Sequence, residues 1–193
     1  MPTLLRKMAG GGACPEPSRP VAALLSGLGA MLAIGFAAGL SEMLDAVLMM
    51  APFGASCFLA FAVPESPLAQ PRNIVFGHLI SSLVGLAVLI VLGPEWPGMA
   101  LAIGLAVSAM MWTGTSHAPA GADPAVIFVL QPSPIFLLTP VLSGALLIVI
   151  VALLFNNLRP GKKYPIYWYR LNRPSPPPRA GGPRRRKACR HRY

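Results

Sequence analysis

Six apolar runs divide the chain, and short polar or Gly/Pro-rich segments separate them. They cover residues 21–40, 44–63, 74–92, 99–112, 118–130 and 135–158. An α-helix needs roughly 20 apolar residues to cross a bilayer core of about 30 Å. The fourth run is rather short for this, and the fifth, 118–130, is too short to cross as one helix. The pattern predicts an all-α membrane protein.

An internal repeat relates the two halves of the chain. A shift of 67 residues places residues 52–86 on 119–153 without a gap, with 10 identities over 35 positions. Shared apolar composition, the competing explanation, would supply about three identities. The matches concentrate in Gly and Pro, which punctuate the backbone, so the sequence predicts a duplicated unit.

The repeat decides how the short fifth run is interpreted. Taken alone, 118–130 would be a loop, and five spans would result. The repeat instead matches it to the second half of the run 44–63, which Pro52 and Gly54 interrupt. Each unit then has a full span, a Pro/Gly-broken span and a full span. An odd number of crossings per unit makes the repeats, 21–92 and 99–158, inverted.

The distribution of charge supports six crossings. With the N-terminus inside, the inner segments are 1–20, 64–73, 113–117 and 159–193, and they hold all sixteen Lys and Arg residues. The outer loops carry Glu42, Asp45 and Glu95 and no basic residue. Because basic residues concentrate on the cytoplasmic side, we expect both termini to be cytoplasmic, with the protein in a bacterial inner membrane.

Composition sets expectations for the two ends of the chain. Hydrophobic residues make up 54% and charged residues 11%. Residues 1–20 are predicted to be a disordered lead, because the following apolar run is longer than that of a cleaved signal peptide, the competing interpretation. Residues 159–193 form a basic, Pro-rich tail with twelve of the sixteen basic residues. This tail either binds anionic lipids or enforces orientation, and nucleic-acid binding is not expected.

The two breaks provide a candidate anion site. In each unit a Pro-x-Gly-Ala turn precedes a half-helix, 55–63 or 123–130, and inversion would point both helix N-termini at one another near the midplane. Such termini present free N–H groups and a partial positive charge. The candidate substrate-binding residues are Pro52, Gly54, Ala55, Ser56, His117, Pro119, Gly121, Ala122 and Asp123. A structural kink without a ligand is the competing interpretation.

Three titratable residues are candidates for proton coupling. Asp123, followed by Pro124, is first predicted to be a helix N-cap, although a carboxylate at membrane depth is also a functional-site candidate. His78 and His117 titrate near neutral pH and could move a proton with the substrate. Packing by a hydrogen-bonded histidine is the simpler prediction for His78, and both roles stay open for His117.

Enzymatic activity is not expected. Two separated histidines and one deep carboxylate do not provide a nucleophile with an oriented base. Cys14, Cys57 and Cys189 lack metal-ligand spacing, so no metal or cofactor is predicted. A transporter or channel for a small anion is favoured, and a structural or regulatory membrane subunit is the alternative. The sequence leaves the oligomeric state open, a homo-oligomer included.

Several segments of residues 21–169 resemble the HPP family of integral membrane proteins, named for a His-Pro-Pro tripeptide. They are APFGAS (51–56), PESPLAQPRN (64–73), Gly77-His78, SHAPAGADP (116–124) and YPIYW (164–168). This chain has His117-Ala118-Pro119 at the name-giving motif. The family is associated with nitrite transport, so the resemblance implies nitrite as the leading candidate substrate.

Overall fold

Helices make up all regular secondary structure in the part of the chain that the structure describes. The computed structural model describes Met8 and residues 14–168. The α-helices are α1 (Pro20–Leu44), α2 (Pro52–Ala62), α3 (Pro71–Leu92), α4 (Trp96–Thr113), α5 (Asp123–Leu130) and α6 (Ser143–Leu158). Short 3-10 turns at Pro67–Ala69, Ala118–Ala122 and Pro134–Leu137 and a π-helical turn at Leu138–Leu142 join them. The predicted all-α fold is confirmed. The tail from residue 169 and most of the lead lie outside the described residues.

Proline and left-handed residues set the helix boundaries. A proline occupies the first or second position of α1 to α5, where the missing N–H has no helical partner to lose. Helices α3 and α4 end at Gly93 and Gly114, with φ of 78° and 64°. At the ends of α1 and α5, Asp45 and Gln131 have φ of 49° and 46°. These signals are readable in the sequence, so the predicted boundaries are close to the observed ones.

Four helical stretches are long and apolar enough to cross a membrane among the described residues. They are Pro20–Leu44, Pro71–Leu92, Trp96–Thr113 and Pro134–Leu158. Large apolar side chains also point outward, such as Leu24 and Val91, which are 74% and 77% exposed. An apolar outer surface of this extent fits lipid and not water. The chain is an integral membrane protein.

Two helices are too short to cross alone. Helix α2 has 11 residues and α5 has 8, which correspond to about 16 Å and 12 Å. The end of α5 is as predicted, but α2 begins at Pro52, earlier than the predicted residue 55. The run 44–63 is predicted to be a helical span broken at Pro52 and Gly54, but the part before the break is not helical, because residues 46–50 form no helix. The final span is also not straight, since Thr139 has non-helical φ and ψ of −140° and 118°.

Small residues let the long helices approach one another. The buried positions of α1 are Gly29, Ala33 and Ala37, and α4 likewise buries Gly98, Ala102 and Ala106. Both sets repeat every four residues and therefore form one stripe along each helix. Small stripes of this kind allow close backbone contact between membrane helices.

The contacts between the two halves of the chain occur in matching pairs. Helix α2 packs against α6 and α5 against α3, while α1 packs against α6 and α4 against α3. Arg72 Nη1 donates to the Gly114 carbonyl at 2.6 Å, and Thr139 Oγ1 donates to the Val47 carbonyl. Residues 72 and 139, like 47 and 114, are 67 apart. Each contact therefore recurs with the roles of the two halves exchanged.

Two glycines form a second such pair. A Cβ at Gly77 would lie 3.0 Å from the Thr115 carbonyl oxygen, and a Cβ at Gly144 would overlap the Leu48 carbonyl oxygen. The offset of 67 residues again relates both members. At each position the absence of a side chain lets a backbone segment of the other half pass directly against the helix.

The segments predicted to share one side of the membrane lie at one end of the bundle. Tyr164 donates to the Ala69 carbonyl at 2.7 Å, and Lys162 pairs with Glu65. Ser18, Pro64 and Arg159 line one pocket, which brings the start of α1 to the same end. Together with the Arg72–Gly114 bond, these contacts bring four segments to the same end of the bundle. They are the residues near 18 and the ranges 64–73, 113–117 and 159–168.

Gly144→Ala is expected to destabilise the protein by about 1–3 kcal/mol, the usual range for overpacking a core. The added methyl group would collide with the Phe53 ring and the Leu48 carbonyl. Gly104→Ala in the middle of α4 is the matched control, because a Cβ there meets no atom within 4 Å and should stabilise the helix slightly. Reversible unfolding in mixed detergent micelles measures both variants. Equal stability of the two would contradict the close approach at Gly144.

Candidate functional site

Four polar side chains from four different elements form one hydrogen-bonded cluster inside the bundle. Ser56 comes from α2, His78 from α3, His117 from the residue before the 118–122 turn, and Asp123 from α5. Each is at most 1% exposed. Because apolar spans surround them, these groups can be satisfied only by one another and by nearby backbone. We call these four residues the buried cluster.

The hydrogen bonds of the buried cluster form a chain with one side branch, from Ser56 Oγ to the Pro52 carbonyl at 3.3 Å. Ser56 Oγ lies 2.8 Å from His78 Nε2 and 2.9 Å from His117 Nε2. His78 Nδ1 lies 2.8 Å from Asp123 Oδ2. At the opposite end, His117 Nδ1 lies 2.7 Å from the carbonyl oxygen of Leu68. The order is therefore Leu68 carbonyl, His117, Ser56, His78 and Asp123.

Two serines that sequence reasoning missed complete the surroundings. Ser82 Oγ donates to Asp123 Oδ2 at 3.1 Å, and Ser81 Oγ donates to the Ala120 carbonyl at 2.6 Å. Both lie three or four residues after His78, on the same face of α3. This spacing is visible in the sequence and could have indicated that the face is polar and buried.

The 64–73 segment positions His117. Leu68 supplies the carbonyl that accepts from His117, and Asn73 Nδ2 donates to the Ser116 carbonyl at 3.1 Å. Arg72 donates to the carbonyls of Thr113 and Gly114 at 3.2 Å and 2.6 Å, at the C-terminal end of α4 where carbonyls lack helical partners. These contacts fix His117 and the path of the chain that leads to it.

The segment that follows α6 folds over residues 64–73. Ile166 N donates to Gln70 Oε1 at 2.8 Å, and Tyr167 Oη donates to the Pro67 carbonyl at 3.0 Å. The hydrogen bond from Lys162 lowers the pKa of Glu65, and burial raises the pKa of Tyr164. The PESPLAQPRN and YPIYW motifs, distant in sequence, thus form one clasp at this end of the bundle.

A basic groove opens beside the clasp. Its volume is about 1020 Å³, and Leu68, Arg72, Ser116, Lys163 and Trp168 are among the residues that line it. Two of the lining residues are basic and none of the described ones is acidic. Because Leu68 and Ser116 flank His117, the groove lies next to one end of the buried cluster.

The predicted site residues divide into two groups. Ser56, His78, His117 and Asp123 come together in the buried cluster, and Pro52 and Pro119 are buried. Gly54, Ala55 and Ala122 are exposed, and Gly121 is partly exposed. The Gly54 N–H donates to the Ala51 carbonyl at 3.3 Å, so it is not free for an anion. The role of this second group as anion ligands stays a prediction.

Two sequence predictions about this region are wrong. Asp123 is not the N-cap of α5, because Ala122 occupies that position and no side chain caps the helix; the Asp123 carboxylate instead reaches His78 and Ser82. The histidines are not separated either, since the ring centroids of His78 and His117 lie 5.0 Å apart. Gly77 permits this approach, because a Cβ there would lie 2.7 Å from His117 Cβ.

Comparison with known proteins identifies relatives of the chain. Residues 15–165 match the family described as "HPP, transmembrane region". A transmembrane protein of Dictyostelium discoideum is 37% identical over 139 residues, which are 66% of this chain and 48% of that protein. A second from the same organism is 36% identical over 134 residues, 65% of this chain and 43% of that protein. The chain thus spans about half the length of these relatives. No solved structure matches it.

Asp123→Ala is expected to destabilise the protein by about 1–3 kcal/mol, because His78 Nδ1 and the Ser82 hydroxyl would lose a buried partner. Asp123→Asn keeps an oxygen acceptor and should recover much of that loss. Ser108→Ala, at an exposed serine that donates to its own helix at Gly104, is the control. Unfolding in mixed micelles provides the measurement. Alanine and asparagine variants as stable as the control would show that the carboxylate holds no partner.

Proposed function

The chain belongs to the HPP transmembrane family, and we propose that it carries a small inorganic anion across the bilayer, with nitrite as the leading candidate. The buried cluster is the observation that carries this proposal. Ionisable side chains inside membrane helices are expensive and mark ion or proton pathways. The cluster contains two histidines and a carboxylate fully buried between apolar helices, an arrangement that packing alone does not require.

The proposed architecture is a pair of inverted repeats. The Arg72–Gly114 contact and its counterpart, Thr139–Val47, support a two-fold relation, because exchange of roles is the mark of such symmetry. The first contact lies at the end of the bundle where α1 begins, and Val47 follows the other end of α1. A two-fold axis that exchanges the ends would lie in the membrane plane. Many secondary transporters are built from such repeats, with the substrate site near the midplane.

The basic groove supports an anion as the substrate. Arg72 and Lys163 give it positive potential, which raises the local concentration of anions. Ser116 and Leu68 line the groove, and both adjoin His117 at one end of the buried cluster. We infer that the groove is where the anion collects and that the basic tail adds affinity for anionic lipids on the same side.

Hydrolysis is the second candidate, because Ser56, His78 and Asp123 have the hydrogen-bond order of a catalytic triad. Two features weigh against it. Ser56 is completely buried, so a substrate would have no access to its hydroxyl. A second histidine, His117, holds the same oxygen, and triads leave that side open for the attacked carbonyl. We therefore infer that the protein is not an enzyme.

A structural or regulatory subunit without transport activity is the remaining alternative. It would account for the spans and the clasp, but it has no use for ionisable groups held at membrane depth. The oligomeric state does not distinguish these alternatives, and a homo-oligomer is compatible with each.

Reporter fusions test the proposed topology. Fusions after Asp45, Ser66, Pro94 and Gly161 should give outer, cytoplasmic, outer and cytoplasmic readings in a bacterial inner membrane, because both termini are proposed to be cytoplasmic. A fusion after Trp112 provides an internal check and should match Ser66. An outer reading after Ser66 would mean that α2 does not complete a crossing, and the six-element arrangement would then fail.

Uptake by proteoliposomes tests the transport proposal. The full-length chain should accumulate nitrite in preference to nitrate, chloride or formate, and faster when the outside is more acidic. Protein-free liposomes serve as the control, because they measure how fast the neutral acid crosses the bilayer without the protein. His117→Gln should slow this pH-driven uptake by about tenfold or more, the lower range for loss of a proton-transferring group, while Ser108→Ala should not.

Two outcomes of that assay would contradict the proposal. Uptake no faster than in protein-free liposomes for all four anions would favour a structural subunit. If Asp123→Asn abolished binding of every anion, the carboxylate would be a ligand, and the substrate would be a cation or a neutral acid.

A further inference from the structure

The directions of the hydrogen bonds in the buried cluster can be worked out from its end points. His117 Nδ1 faces the carbonyl oxygen of Leu68 at 2.7 Å. A carbonyl can only accept, so His117 Nδ1 carries a hydrogen. In a neutral histidine only one ring nitrogen is protonated. A neutral His117 therefore presents a bare Nε2 to Ser56.

The same reasoning applies to His78 from the other end. If Asp123 is ionised, its carboxylate only accepts, and His78 Nδ1 at 2.8 Å must donate to it. A neutral His78 then also presents a bare Nε2 to Ser56. The Ser56 hydroxyl has a single hydrogen, for which the two rings compete with the more distant Pro52 carbonyl at 3.3 Å, so it can donate to at most one ring. One of these contacts would bring two lone pairs together at 2.8 or 2.9 Å.

One additional proton removes this conflict. It can lie on the Asp123 carboxyl, on His78 or on His117. In each case every gap in the chain holds one hydrogen, and the four residues have no net charge. An uncompensated charge at this depth would be strongly unfavourable, so the neutral count is also the electrostatically preferred one.

These three arrangements interconvert by proton shifts along existing bonds. The proton on Asp123 passes to His78 Nδ1, the proton on His78 Nε2 passes to Ser56 Oγ, and the Ser56 proton passes to His117 Nε2. The result is an ionised Asp123 and a protonated His117. A positive charge then lies on the residue next to the groove and a negative charge on Asp123, and no heavy atom has had to change its partner.

The other charged groups near this path are Arg72, the Glu65–Lys162 pair and Lys163, which lines the groove. Arg72 donates to the carbonyls of Thr113 and Gly114, and Glu65 pairs with Lys162 at the surface. Ser82 donates to Asp123 in every arrangement, and Ser81 donates to the Ala120 carbonyl. Cys57, the neighbour of Ser56 on α2, is buried and has no described hydrogen-bond partner in the cluster.

We infer that Ser56, His78, His117 and Asp123 form a relay that holds one transferable proton, with the Ser56 hydroxyl as its switch. This inference rests on the proposed function where it concerns flux. For transport, the inference predicts that one proton moves with each monovalent anion, because the relay is neutral when it holds its transferable proton. Uptake of nitrite would accordingly be electroneutral, and the membrane potential would not drive it.

Nuclear magnetic resonance of the full-length chain, labelled with ¹⁵N-histidine in lipid nanodiscs, tests the relay without transport. The chain has three histidines, and His191→Gln identifies the signals of the third. At neutral pH, His117 Nδ1 should be protonated. If His117 is neutral, His78 should be either charged or neutral with its hydrogen on Nε2. Two neutral rings, both protonated at Nδ1 only, would overturn the relay, since Ser56 cannot then satisfy both.

Variants of two buried serines sharpen this test. Ser56→Ala removes the switch, so the tautomer of His78 should become independent of His117 and unaffected by His117→Gln. With Ser56 in place, His117→Gln should change the His78 spectrum. Ser81→Ala removes a buried hydrogen bond of the same helix face outside the relay and should leave both spectra unchanged. If His78 responded to His117→Gln equally with and without Ser56, the switch role would be wrong.

Proton counting in proteoliposomes then tests the coupling. With potassium and valinomycin setting the potential and an internal pH dye, uptake should move one proton per nitrite and stay constant over potentials of either sign. Ser56→Ala should lower it by about tenfold or more, and Ser108→Ala, at an exposed serine outside the site, should not. Uptake that follows the potential would overturn the coupling.

If the predicted spectra were observed but no uptake was detected, the relay would stand and the transport proposal would be rejected. Covalent labelling of Ser56 by a serine-directed phosphonate would instead identify an acylating triad and overturn the relay.

Discussion

The structure depends on one shared contact, the Ser56 hydroxyl between the Nε2 atoms of His78 and His117. Each of the two histidines comes from a different half of the chain, and so do Ser56 and Asp123. Ser56 and Asp123 are also 67 residues apart, so both occupy the same position of the repeat. Because hydrocarbon offers no partners to a polar group, these side chains are satisfied only when both halves are docked. The cluster therefore fixes the register of the halves as well as providing titratable groups.

The backbone makes this contact reachable. Prolines occupy the first turn of both half-helices, where the missing N–H has no helical partner to lose, while Gly77 and Gly144 allow the facing segment of the other half to pass without a side chain between. At the end of the bundle, the 64–73 segment positions His117. Leu68, Arg72 and Asn73 hold the residues around His117 by bonds to and from backbone, and the segment after α6 holds 64–73 in turn. The basic groove thus lies next to His117, which hydrogen bonds connect through Ser56 and His78 to the Asp123 carboxylate.

The sequence predicted those features that local chemistry determines. The spans and the bounds of α5 follow from apolar length, proline and left-handed end residues, all of which act within a few positions. The polar contacts could not be predicted this way. Asp123 followed by proline has the pattern of an N-cap, but His78 and Ser82, some 40 residues away, outcompete the local N–H groups for its carboxylate. Likewise the distance between His78 and His117 is set by how α3 packs, which no local pattern encodes. The non-helical path of 46–50 has the same cause, since its apolar residues fit a helix equally well.

Neutron diffraction from crystals exchanged into D₂O would test the central claim most directly, because it locates deuterons on individual atoms. The prediction is one deuteron in each of four gaps: between the Leu68 carbonyl and His117, His117 and Ser56, Ser56 and His78, and His78 and Asp123. A gap on either side of Ser56 with no deuteron, or a Ser56 hydroxyl bonded to only one of the two histidines, would contradict the claim that the four residues hold one transferable proton between them.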